Sequence, residues 1–311
     1  MKGCKSWFFI VLLAGFSCID SFPIETDESE GVLIVEGFVS TRLKYQRVKL
    51  TRAGRFSPEI SDINRPILNA KVLIKDNLGK IIPLNSVGSG FYESEVEFSA
   101  EIGMSYNLDI TLSDGKRFIS LPEKVMQVQE VDSLTYKAVR TVTTNRLNDE
   151  IGVEVTAHFQ DPVDQVNYYY WKQIPSTYIL VSEPELYHTP PWYNPPRQPW
   201  PLACCNRCFD TDIPTPFNIM TTDDFDFNGT YQRRPIAYVV DNGLRFKEIY
   251  RLDILHLSVS QEAHRFLRLA DQQVRLTGSI FDPAPANIRG NMLSLQDKKE
   301  TVLGFFFFCF R

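Results

Sequence analysis

Between residues 32 and 121 the chain keeps one rhythm: short runs rich in β-branched and aromatic side chains, separated by turn residues. VLIVEGFVS (32–40) opens it, and QRVKLT (46–51) alternates polar with apolar side chains at the period of two that lays one face of a strand on a core. AKVLIKD (70–76), the turn at 77–80 and IIPL (81–84) form a hairpin pattern, and GFYESEV (90–96) follows. SYNLDITL (105–112), the turn at Asp114 and Gly115, and KRFIS (116–120) form another. Seven or so short strands in this stretch fit an immunoglobulin-like β-sandwich. The disulfide and tryptophan of antibody domains are absent from it, so the expectation rests on strand rhythm alone.

A length of 311 residues allows one large domain or two ordinary ones, at about 100–200 residues each. With 43% hydrophobic and 23% charged residues, wholesale disorder and rod-like folds are excluded. Twenty-two phenylalanines, thirteen tyrosines and nineteen prolines point to a protein rich in strands and loops. Residues 122–132 read as a linker into a second β-rich domain, 133–311. Its strands include GVEVTAHF (152–159), NYYYWKQI (167–174), residues 236–240 and EIYRLDILHLS (248–258). The four consecutive aromatics at 168–171 are expected to be half core and half surface. Ser260 then caps a helix over 261–274, with Ala263, Phe266, Leu267, Ala270 and Val274 on one face.

The amino terminus carries an export signal. Lys2 and Lys5 precede a ten-residue apolar run at 7–16, and Ser17 and Cys18 follow directly. That run is too short to span about 30 Å of hydrocarbon as a helix. A cysteine after a small residue at this place is the layout of a bacterial lipoprotein signal, with Gly15 standing where a leucine or valine is usual. Signal peptide 1–17, acylation of Cys18 and an acidic tether over 18–31 are the expectations; ordinary cleavage is the alternative. Loss of the two lysines leaves 31 basic residues against 38 acidic ones, the wrong sign for a general nucleic-acid binder.

Residues 17–40 (SCIDSFPIETDESEGVLIVEGFVS), then VKLTRAGRF and SGFYESEVEFSAEIGMSYNLDITLSDGKRFIS, resemble a family of Bacteroidota outer-membrane lipoproteins of unknown function, domain of unknown function 4249. YRLDILHLSVSQEAHRF, GSIFDPAPANIRGNM and ETVLGFF resemble the same family's second half, while 182–230 resembles it loosely. The resemblance implies an envelope lipoprotein, periplasmic or surface-facing, encoded near TonB-dependent receptors. It also implies a carboxypeptidase-regulatory or immunoglobulin-like first domain. It brings no catalytic residues.

Cys204, Cys205 and Cys208 lie close together. In an oxidising envelope, one disulfide with one thiol left over is the expected use; redox or metal chemistry and unpaired thiols are the alternatives. Zinc would need a fourth ligand, and the nearest histidine, His188, is a weak candidate sixteen residues away. Asp224, Asp226, Asn228 and Gly229 imitate the first half of a calcium loop, but Pro235 stands where its glutamate belongs, so an acidic turn is the reading. His158, His188, His256 and His264 accompany no nucleophile elbow or zinc-protease signature. Nucleotide-binding glycine motifs are missing too, so neither cofactor nor metal is expected.

Seven prolines fall in residues 184–201, among Trp192, Tyr193, Arg197 and Trp200. Such a stiff loop with exposed rings suits a partner surface; packing over its own domain is the alternative. The tail LGFFFFCFR (303–311) lacks the polar alternation of a closing strand and reads as an unnatural or truncated end. The function expected is a non-catalytic binding or accessory role beside a TonB-dependent transporter. An enzyme acting on an extracellular polymer and a free-standing glycan-binding adhesin are the rivals.

Overall fold

The computed structural model describes residues 31–53, 64–141, 149–163, 165–181, 207–214, 219–276 and 288–309. The protein is mainly β. The first strands are β1 (Leu33–Ser40), β2 (Arg47–Ala53), β3 (Asn64–Pro66), β4 (Ala70–Asp76), β5 (Ile81–Gly88), β6 (Phe91–Ser94), β7 (Ser105–Leu112), β8 (Arg117–Ser120) and β9 (Glu123–Lys124). Then come β10 (Ser133–Thr141), β11 (Glu150–Gln160), β12 (Tyr168–Gln173), β13 (Ser176–Val181), β14 (Arg207–Asp212), β15 (Met220–Asp223), β16 (Tyr231–Val240), β17 (Tyr250–Arg251) and β18 (Ile254–Ser258). Helix α1 (Gln261–Val274) precedes β19 (Met292–Ser294), β20 (Val302–Leu303) and β21 (Phe307–Cys309).

One path of pairing, β19-β8-β7-β4-β5-β6-β2-β1-β20, joins the opening strands to the closing ones. Its end strands β19 and β20 lie against each other, so the sheet curls until it nearly closes. The opening and closing strands thus belong to one large, nearly closed sheet. Alternate residues fill its inside: Val35, Val48, Leu50, Ile74, Leu108 and Ile110 are all buried. Gln46, also buried, ties the β1–β2 connection, accepting from the Ser40 N–H at 3.1 Å and donating to the Arg42 and Phe98 carbonyls at 3.0 and 2.5 Å.

Pairing and packing run on across residues 122–132. Glu123–Lys124 adds to β7, Val125 is buried in the first core, and β19 to β21 return from the second half to the first sheet. Alternation shows that a segment has a buried face; it does not show which core receives that face.

The phenylalanine run supplies two cores at once. Phe306 and Phe308 enter the first core, while Phe305 and Phe307 enter a second core with Tyr170, Leu255, Leu257 and Leu267. A strand buried on both faces has no polar alternation to show. β20 and β21 pair parallel with β1, Leu33 opposite Val302 and Phe38 opposite Phe307. Between them Gly304 has φ +96, and a Cβ there would stand 2.0 Å from the Val35 carbonyl oxygen, so only glycine fits this approach.

The aromatic run on β12 is also two-faced instead of half surface. Tyr170 joins the second core, and Tyr169 and Trp171 join a third with Phe159, Phe227 and Ile236. β12 is the middle strand of β15-β12-β18; β10-β11-β16 and β14-β13-β17 complete the second half. Helix α1 starts as its sequence foretells, with Ser260 Oγ accepting from the Ala263 N–H at 3.1 Å. Ala263 and Leu267 are buried and Phe266 packs on Phe305, but Val274 is exposed, so the apolar stripe fades toward the helix end. Among the described residues no helix is long and apolar enough to cross a membrane.

Candidate ligand-binding groove

The sheet β10-β11-β16 is polar on one side and apolar on the other. Thr135 bonds His158 at 2.8 Å and Lys137 pairs with Glu154 at 2.8 Å on the polar side. The apolar side presents Leu134, Tyr136, Val153, Val155, Ile236 and Val239 to a groove. Its other wall comes from the stretch through β17 and β18, with Phe246, Ile249, Leu252 and Ile254, and Trp171 and His256 also line it. The cavity measures about 760 Å³. Beside it lies the third core; here the described side chains leave the space between the two walls open. Tyr136 is 81% exposed and Leu134 59%, so β10, an edge strand, forms the mouth.

Charge is nearly absent. Glu248 and Asp253 are the two carboxylates in the lining, and each is held by an arginine: Arg207 bonds Glu248, and Arg251 bonds Asp253 at 3.0 Å. His256 packs among the rings of Phe159, Tyr169 and Trp171 at 5.4, 5.5 and 5.6 Å. Burial holds its imidazole down at about 4, opposed by a hydrogen bond to the Gln129 backbone, so the ring is neutral at pH 7. The Trp171 indole N–H has no hydrogen-bonding partner among the described residues.

A smaller polar recess of about 130 Å³ adjoins the groove, sharing Val239 and Tyr250 with it. Asp212 organises the recess. It accepts from Arg245 at 2.6 Å and from the Tyr250 hydroxyl at 2.7 Å, while Arg245 also donates to the Val240 carbonyl at 2.8 Å. Burial and the bond to Asp212 push the Tyr250 phenol up to about 12, so it stays protonated and donating.

The arrangement suits binding. Glycoside-cleaving chemistry needs two carboxyl groups free to reach a bond, and both carboxylates here are committed to arginines. Among the described residues no three His, Cys, Asp or Glu side chains gather as metal ligands. The calcium-like segment is a hydrogen-bonded turn: Asp224 Oδ2 accepts from the Asn167 N–H at 2.8 Å, and Asn228 Nδ2 donates to the Gln165 carbonyl. His264 is a core residue tied to Thr221 at 2.8 Å and to Asp223 at 3.5 Å.

Of the residues singled out by sequence, Cys208 stands exposed on β14 opposite Leu180. Cys18, Cys204, Cys205, Trp192, Tyr193, Arg197 and Trp200 lie outside the described residues. The groove itself was missed. Its strands at 152–159, 236–240 and 248–258 are legible, but nothing local says that two apolar faces oppose each other without meeting.

A family model described as Domain of unknown function (DUF4249) matches residues 19–310. No curated protein and no solved structure matches the chain.

Proposed function

The chain belongs to the family described as domain of unknown function 4249, and from that membership and the groove together we propose that it is a non-catalytic binding protein of the cell envelope. In this reading Cys18 carries a lipid that holds the protein to the outer membrane, and the protein works beside a TonB-dependent transporter. The groove receives the bound molecule. The observation that carries the reading is the open, apolar space of about 760 Å³ between two strand walls, which has the size and lining of a ligand pocket. The signal layout and the family resemblance support the location.

The test uses N-phenyl-1-naphthylamine, an uncharged dye that fluoresces in apolar surroundings. The full chain is expected to bind it saturably at one site. Ile249 is 65% exposed, so Ile249→Asp leaves the core intact while placing a charge in the wall. It should weaken dye binding at least tenfold without moving the thermal midpoint. Absence of saturable binding by the unaltered protein overturns the reading.

A further inference from the structure

The outer edge of β10 lacks the usual guards of an open strand. Among the described residues β10 pairs with β11 alone, which leaves one row of its backbone donors and acceptors unpaired. Proteins blunt such edges by keeping them short, bulging them or placing proline in them. SLTYKAVRT (133–141) contains no proline, and its register to β11 runs unbroken over 9 residues; the bulge in this sheet falls between β11 and β16. Every residue of the strand except Val139 is exposed, Leu134 and Tyr136 included. Lys137 is the charge at its centre, and Glu154 already pairs with it.

Charge selects what this edge can pair with. At one end the Asp132 N–H donates to the His158 carbonyl at 2.8 Å, which keeps Asp132 in line with the strand. Its side chain is exposed and enters no ion pair among the described residues. At the other end Arg140 meets Asp149 at Nε, and its side chain is 70% exposed. An acid at one end and a cation at the other complement the same strand turned end for end. An antiparallel copy centred on Lys137 would set that lysine against itself, which is unfavourable. Centred on Tyr136 instead, the pairing sets Asp132 opposite Arg140 at both ends, Leu134 opposite Ala138 and Thr135 opposite Lys137. The two Tyr136 rings then meet at the two-fold axis.

We infer that β10 is a self-association edge, through which two copies of the chain join antiparallel about Tyr136 into one continuous sheet, β16-β11-β10-β10-β11-β16. Such a contact is closed, because each copy offers the same patch to the other. Its axis stands normal to the sheet, so the same face is uppermost in both copies. The two grooves therefore open on one side, with their mouths adjoining across the Tyr136 pair. The inference holds whatever the groove binds.

The test is sedimentation velocity of the full chain carrying Cys18→Ala, so that membrane attachment does not imitate association. A reversible dimer is expected, with a Kd on the order of 10 μM, toward the weak end of interface affinities. Asp132→Arg should weaken it at least about tenfold, and so should Arg140→Asp, since each variant opposes like charges at both ends of the pair. Mixed together, the two variants carry opposite charges at each end and should form a heterodimer within about threefold of the parent's affinity. A parent that stays monomeric up to about 500 μM, a dimer indifferent to Asp132→Arg, or two folded variants that fail to pair in the mixture overturns the inference. If Arg140→Asp unfolds, Asp132→Arg alone decides. Saturable dye binding by the parent leaves the groove reading standing in every one of these outcomes.

Discussion

Asn291 holds Phe306 by both of its backbone groups, donating from Nδ2 to the carbonyl at 2.7 Å and accepting at Oδ1 from the N–H at 2.9 Å. Asn291 is buried, so no water replaces it. The side chain thereby supplies the ladder bonds that join the segment entering β19 to the segment between β20 and β21, where the curled sheet meets itself. Asn291→Ala leaves two buried backbone groups without partners and is expected to destabilise the protein by about 2–4 kcal/mol. A urea midpoint within error of the unaltered protein would show that the closure is not held there.

Glu123 touches the same closure. Burial pushes its carboxyl up to about 7, with hydrogen bonds from Ser260 and Asn291 opposing the shift and the nearby charge of Glu262 adding to it. Between its ordinary value of 4.5 and about 7 the folded protein binds more protons here than the unfolded chain does. Its contribution to stability therefore falls as pH rises through that window. Glu123→Gln should be more stable than the parent at pH 8, by up to about 3 kcal/mol, and close to it at pH 4.5. His256, held down at about 4, acts in the opposite sense as pH falls below 6.5. The difference between variant and parent is thus the quantity to follow by urea unfolding; a variant less stable than the parent at pH 8 contradicts the argument.

Asp109 shows the opposite sign. Arg117 reaches it with bonds of 2.9 and 2.6 Å and Lys75 with one of 2.5 Å, and its carboxyl falls to about 2. Its contribution is present above its ordinary 3.8 and is lost as pH falls toward 2. Both cations are partly in water, which limits Asp109→Asn to a loss of about 1–2 kcal/mol at pH 7. Acid titration of parent and variant should converge below pH 2; a constant gap at all pH values would point to packing instead of charge.

Cys18→Ala is expected to move the protein from the membrane pellet to the soluble fraction and to abolish incorporation of labelled fatty acid. Pelleting that persists unchanged, with no label in either form, removes the lipid anchor from the account.

Local features were legible where neighbours in sequence decide them. The hairpins at 70–84 and 105–120 follow from alternation and their turn residues, and α1 from the cap at Ser260. What escaped was decided by partners far along the chain. Tyr168 to Trp171 read as a strand with one surface face, and Phe305 to Phe308 as no strand, because a strand shared by two cores loses the polar beat that marks a buried and an exposed face. Similarly, Val155 and Ile249 each announce an apolar face, but the space between them depends on how two segments almost a hundred residues apart are held.

The parallel pairing of β1 with β20 and β21 carries a consequence for synthesis. β1 is made long before β20 and β21, and one of its edges must wait for them. Until Phe307 arrives, Val35 and Val39 sit beside an open row of backbone donors and acceptors, the kind of edge that recruits other chains. Contacts this distant in sequence also form slowly. The opening sheet thus completes only after β21 has been made, and the two halves should melt in one transition, each lacking part of its core without the other.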